Sequence, residues 1–146
     1  MRTLKNNTAI EVELDEMWSF CQNKKKQLWL WWAIDHNNKT PLAFTFGTRE
    51  YKNLYNLLAL LQPFNIKTFF TDNYFAYSKI IPKDTLIIGK KNTQNIERFH
   101  LTLRTRIKRL SRKTICFSKN TDIHISVISS FIIKFLFPYT SSFSTT

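Results

Sequence analysis

The stretch TAIEVELDEMWSF, residues 8–20, decides the fold. Successive side chains of an extended chain point to opposite faces, so Ile10, Val12 and Leu14 fall on one side and Glu11, Glu13 and Asp15 on the other. The pattern predicts a strand. An acid inside a strand needs a partner or solvent, which makes Asp15 the first residue to follow.

Outward from this strand, the NKKK run (23–26) reads as a turn. QLWLWWAID (27–35) is apolar on both faces and reads as a central strand. HNNKTP (36–41) is turn chemistry, and LAFTFG (42–47) is a third strand that completes an antiparallel meander. The period then changes. Tyr51, Leu54, Leu57, Leu58 and Leu61 form one stripe of a helix over 49–62, which Pro63 ends. IKTFFTD (66–72) is a fourth strand, and the intervening helix makes a crossover that sets it parallel to the first. Residues 73–81 form a short helix before Pro82, and DTLIIG (84–89) is a fifth strand. Residues 92–112 form the longest helix, with Ile96, Phe99, Leu103, Ile107 and Leu110 as its buried stripe. Residues 121–137 carry a helical pattern weakened by β-branched and Ser residues, and 139–146 read as a disordered tail. This order predicts an α/β protein of the ribonuclease H-like type: a mixed five-stranded sheet with flanking helices, strands one and four adjacent. The catalytic-type domain spans 8–120, and 121–146 is a divergent, partly disordered C-terminal segment.

The chain has 146 residues, long enough for one domain with a substantial core. Its 43% hydrophobic content excludes a disordered polyelectrolyte. Lys plus Arg number 22 against 10 acids, a net charge of +12 that points to a polyanion. The charge is segregated. Residues 90–113 hold nine Lys or Arg and a single acid, Glu97, while Glu11, Glu13, Asp15 and Glu16 crowd the first strand. Cys21 and Cys116 are isolated, without the paired spacing of a zinc site. They read as reduced thiols of a cytoplasmic protein. RTLKNNT after Met1 is not a secretory leader, and the apolar run 125–138 is too short and Ser-rich to span a bilayer.

Three acids on separate elements carry the chemistry: Asp15, Asp72 at the end of the fourth strand, and Glu97 near the start of the basic helix. Carboxylates converging from rigid elements suit hard divalent cations, and two such ions roughly 3.5–4 Å apart support phosphoryl transfer. Each acid has a plainer reading. Asp72 in Thr71-Asp72-Asn73 also fits a turn or a helix cap, and Glu97 also fits a first-turn acid facing the helix dipole. Asp35 is a rival to Asp15 but reads as a strand-end turn residue, and Asp84 and Asp122 read as loop acids. His100 and Arg104, three and seven residues past Glu97, share its helical face and suit a scissile phosphate or terminal base. Lys108 and Arg112 continue that stripe toward DNA. Most tryptophans read as core, but Trp18 and Tyr74, close after the acids, suit stacking on an unpaired base.

ELDEMWSF, WWAIDHNNKTPLAFTFG, FFTDNYFAY and NTQNIERFHLTLRTRIKRLSRKTICFSK together resemble the transposase of the insertion-sequence-one family, over about residues 8–120. The resemblance implies a DDE transposase with Asp15, Asp72 and Glu97 as catalytic and metal-holding residues, 24 residues separating the last two. It implies Arg104 as the basic residue two turns past the glutamate. It implies magnesium or manganese, two ions, and DNA as partner, both insertion-sequence ends and target, in the bacterial cytoplasm. Such enzymes act as homo-oligomers on DNA. This chain begins just before the first catalytic strand, so an N-terminal DNA-binding product, fused or separate, is expected to recognise the ends. The alternative is a non-catalytic DNA-binding or regulatory fragment of a decayed transposase. A third reading is a ribonuclease H-like nuclease unrelated to transposition.

Overall fold

The computed structural model describes residues 8–21, 23–107 and 121–136. Strand β1 (Ile10–Cys21) pairs antiparallel with β2 (Asn23–Asp35), and β2 with β3 (Pro41–Gly47). Helix α1 (Tyr51–Leu60) crosses over to β4 (Ile66–Thr71), which lies parallel beside β1. Helix α2 (Phe75–Ile80) leads to the short β5 (Leu86–Ile88), parallel to β4. The sheet order is β3-β2-β1-β4-β5. A 3₁₀ turn (Lys90–Asn92) precedes α3 (Gln94–Arg106), and α4 (Thr121–Phe131) continues into a π-helical turn, Ile132–Leu136. This is the ribonuclease H-like mixed sheet read from the element order, with strands one and four adjacent.

The alternation of β1 divides the molecule into two cores. Val12 and Leu14, with Trp31 and Ala33 of β2, face Leu54, Leu57 and Leu61 of the α1 region and Ala76, Tyr77 and Ile81 around α2. Met17, Leu30, Trp32 and Ile34 face Ile96 and Leu103 of α3, Ile107 just past its end, and Ile128 and Ile132 from the C-terminal helix. Helices on both faces explain why β2 is apolar on both faces from Leu28 to Ile34.

Two readings of the sequence are corrected. The NKKK run falls within β2: Cys21 pairs with Asn23 and Phe20 with Gln27, and the register shift between these pairs takes up Lys24 to Lys26. The helix expected over 92–112 ends at Arg106, where Ile107 turns to φ −106° and ψ 102° while still entering the core. α3 covers the acidic side of β1 at Glu13 and Asp15. Leu110, Cys116 and the expected tail 139–146 lie outside the described residues.

The cover over β1 is held by one carboxylate. Glu13 is 0% exposed. Its Oε1 accepts from the Ile96 backbone N–H at 2.9 Å, and its Oε2 from the Asn95 amide at 2.7 Å. His36 Nδ1 lies 2.7 Å from the same Oε2. The Thr93 N-cap side chain makes no capping bond. Glu13 therefore satisfies a first-turn amide of α3 from a neighbouring strand and places a negative charge at the positive end of the helix.

Glu13→Ala leaves those donors unmet in an apolar layer and should cost about 2–4 kcal/mol in chemical denaturation. Glu13→Gln keeps one acceptor and should cost about half as much. Equal midpoints for both variants and the parent would refute the cap.

Candidate metal centre

β1 outruns β4. Their last paired residues are Glu13 and Phe70, so counting on by two sets Asp15 level with Asp72, just past the end of β4. At this open flank the Asp72 turn reaches both faces of β1. Carboxylate oxygens of Asp15, Glu16 and Asp72 all lie within 4.8 Å of one another. Asp15 Oδ1 accepts from the Glu16 backbone N–H at 2.8 Å, and Asp72 Oδ1 from the Tyr74 N–H at 3.0 Å. The turn role of Asp72 and its place in the cluster are thus compatible.

Burial raises the pKa of Asp15 to about 8, aided by the charges of Glu16, Asp72 and Glu97 and opposed by the Glu16 amide. Burial also raises Glu16, while hydrogen bonds from Tyr77 and Arg49 hold it down. The Tyr77 hydroxyl donates to Glu16 Oε1, and burial keeps it protonated well above its ordinary range. The cluster concentrates more negative charge than its surroundings neutralise. An all-oxygen donor set under that tension fits a hard divalent cation such as magnesium or manganese.

Glu97 stands apart from this group. It is exposed on the first turn of α3, its Oε2 accepts from Thr93 Oγ1 at 3.3 Å, and its charge is felt by Asp15. His100 turns inward and is 8% exposed. Its Nε2 accepts from the Trp32 indole at 2.8 Å, which leaves Nδ1 as the protonated nitrogen, 3.8 Å from Asp15 Oδ2. Burial, then Arg104, lowers its pKa to about 3, so the imidazole stands neutral beside Asp15 rather than ion-paired to it. This places His100 behind the carboxylates instead of on the DNA-facing surface expected for it. Arg104 is exposed. Lys108 and Arg112 lie outside the described residues.

Tyr74 is half-buried, with one ring face 3.9 Å from the Arg49 guanidinium. Trp18 is half-buried opposite Trp29 in the β1–β2 pair. Asp35 is a turn acid as read, accepting from the Asn37 and Asn38 amides at 2.8 and 2.9 Å. Asp84 and Asp122 are exposed. Sequence reasoning missed Glu16, Arg49 and Tyr77. Strand alternation sends Glu16 to the face opposite Asp15, and the one available signal was two adjacent acids where the neighbouring strand runs out.

Sheet order, flanking helices and buried carboxylates beside the end of a central parallel strand define a ribonuclease H-like protein with an acidic centre. The chain belongs to the IS1 transposase family, whose profile matches residues 8–138. It is 51% identical over 129 residues to insertion element iso-IS1n protein InsB of Shigella dysenteriae, covering 88% of this chain and 98% of that one. It is 38% identical over 127 residues to insertion element IS1 4 protein InsB of Escherichia coli K12, covering 87% and 76%. Among the described residues no helix is long and apolar enough to cross a membrane.

The folded protein holds the Asp15 proton to about pH 8, whereas an ordinary aspartate releases it near 3.8. Folding takes up a proton between those values, so the metal-free protein should lose stability as pH rises across that window. Asp15→Asn should flatten this loss and raise the melting temperature at pH 8 by about 5 °C. Melts from pH 5 to 8.5 in chelator check it; parallel curves for the two proteins would refute it.

Proposed function

We propose that this chain cleaves DNA strands at insertion-sequence ends and transfers them to target DNA, using magnesium or manganese, two ions in the working site. Asp15, Asp72 and Glu97 are the catalytic carboxylates. The observation that carries this reading is the convergence of Asp15 and Asp72 from adjacent parallel strands, with oxygens within 4.8 Å, in a chain of the IS1 transposase family.

Bound divalent ions would polarise the scissile phosphate and acidify the attacking water or 3′ hydroxyl. The chain's own part is placement. Asp15 stands on β1 and Asp72 just past the end of β4, and Glu97 rides on the first turn of the helix that Glu13 caps, close enough for Asp15 to feel its charge. Arg104, seven residues beyond Glu97 and exposed, supplies a cation for a phosphate. Lys108 and Arg112, outside the described residues, are proposed as further phosphate contacts, and Trp18 and Tyr74 offer rings to an unpaired base. DNA contacts of this kind position without specifying. End recognition accordingly belongs to an N-terminal DNA-binding product, fused to this chain or separate from it, and the active species is a homo-oligomer on DNA in the bacterial cytoplasm. Residues 8–120 form the catalytic domain, and 121–146 a divergent addition to it.

Asp72→Asn should lower magnesium-dependent cleavage and strand transfer of element-end DNA by at least about 10²–10³-fold, with the fold intact by circular dichroism. Full activity in that variant would sink the assignment. DNA binding by a parent chain that never cleaves would favour the regulatory-fragment reading.

Binding by this chain alone should be weak and nearly equal for end DNA and a scrambled duplex. Arg104→Ala should reduce the log–log salt slope by roughly one unit. Tight, end-specific binding by residues 1–146 would overturn the claim of an N-terminal recognition product.

A further inference from the structure

The connection from β3 to α1 is pinned unusually closely. A Cβ on Gly47 would lie 2.1 Å from Asn53 Oδ1, so only glycine lets the strand end approach that side chain. Asn53, itself buried, donates to the Thr48 carbonyl at 2.7 Å, and the Trp31 indole donates to the same oxygen at 2.9 Å. Sheet and helix therefore fix the backbone on which Arg49 follows. The Tyr74 hydroxyl donates to the Arg49 carbonyl at 3.2 Å.

From this mount the Arg49 guanidinium lies 3.9 Å from the Tyr74 ring centroid and 4.8 Å from that of Trp29. Its Nε and Nη2 donate to Glu16 Oε2 at 3.0 and 2.7 Å. Two short routes leave it. One runs through Glu16, whose backbone N–H binds Asp15 Oδ1; the other through Tyr74, whose N–H binds Asp72 Oδ1. These routes end on the two acids that no ladder bond joins, because β4 has stopped pairing with β1 before Asp72.

We propose that Arg49 is a positioning residue of the carboxylate centre: lying against Trp29 and Tyr74, it ties Glu16 to the Asp72 turn and so sets Asp15 and Asp72 against one another for the cation. The inference rests on the metal-centre reading above and adds a residue that acts from the opposite face of the sheet. An arginine suits the task because its planar fork donates in plane while its faces stack on rings, which a lysine ammonium does not reproduce. Glu16, with both oxygens engaged by Arg49 and Tyr77, serves as the strut of this arrangement.

The test is manganese binding to the full 146-residue chain, read by electron paramagnetic resonance of free Mn²⁺, with thermal melts and DNA-binding titrations alongside. Arg49→Ala should weaken Mn²⁺ binding by about 10–100-fold, the usual effect of removing a partner behind the ligands. Arg49→Lys keeps the charge beside Glu16; it should melt near the parent temperature yet still bind Mn²⁺ several-fold more weakly, and it decides the matter if the alanine variant does not fold. In a Glu16→Gln background the further loss from Arg49→Ala should shrink by more than about fivefold. Asp72→Asn is the internal reference. If it loses Mn²⁺ while both Arg49 variants bind like the parent, the positioning role is overturned and the metal-centre reading stands. If Asp72→Asn itself binds like the parent, that reading falls and takes this inference with it. Weaker DNA binding by the Arg49 variants with unchanged Mn²⁺ affinity would make Arg49 a phosphate contact and refute the proposal.

Discussion

The carboxylate of Glu13 is the constraint on which this architecture turns. It is buried in the sheet yet spends both oxygens on neighbouring elements: the first turn of α3 and the end of β2 at His36. A buried charge is tolerable only when its lone pairs are met. Here the partners that meet them also fix where the longest described helix begins. Because α3 starts over Glu13, its first turn carries Glu97 within electrostatic reach of Asp15, and its second turn brings His100 to the same acid.

The candidate centre follows a second constraint, the mismatch in strand length. A central strand fully paired on both sides would leave no way for side chains of opposite faces to meet. β4 ends at Thr71 while β1 runs on to Cys21, and the exposed flank lets Asp72 lie between Asp15 on one face and Glu16 on the other. The proximity has an electrostatic cost, which the raised pKa of Asp15 records. Arg49 and Tyr77 offset part of it from the α1–α2 side; on the α3 side Asp15 faces the neutral imidazole of His100. A centre strained in this way is disposed toward a divalent cation, the reverse of what a purely structural acidic pair requires.

Most of the scaffold was legible because its signals are local and periodic. The alternation at 10–15, the apolar run of β2 and the stripe of α1 each state an element and its buried face, and the crossover order implies that β4 lies beside β1. The errors arose where a distant partner overrides local chemistry. Asn23 to Lys26 look like a turn, yet they fall within β2, where Asn23 pairs with Cys21. His100 looks like part of a basic DNA stripe until Trp32 takes its Nε2 and draws it inward.

Composition, element order and the three spaced acids were therefore determined by the sequence alone, as was the resemblance of those blocks to the family to which the chain belongs. Tertiary structure decided which groups meet. Glu16 joins Asp15 because β4 stops short, Glu13 caps a helix 83 residues away, and Arg49 reaches Glu16 across 33 residues from a turn that Gly47 allows to close. These are contacts between residues far apart in the chain. Periodicity reports which face a side chain takes, but not what the folded chain brings up against it.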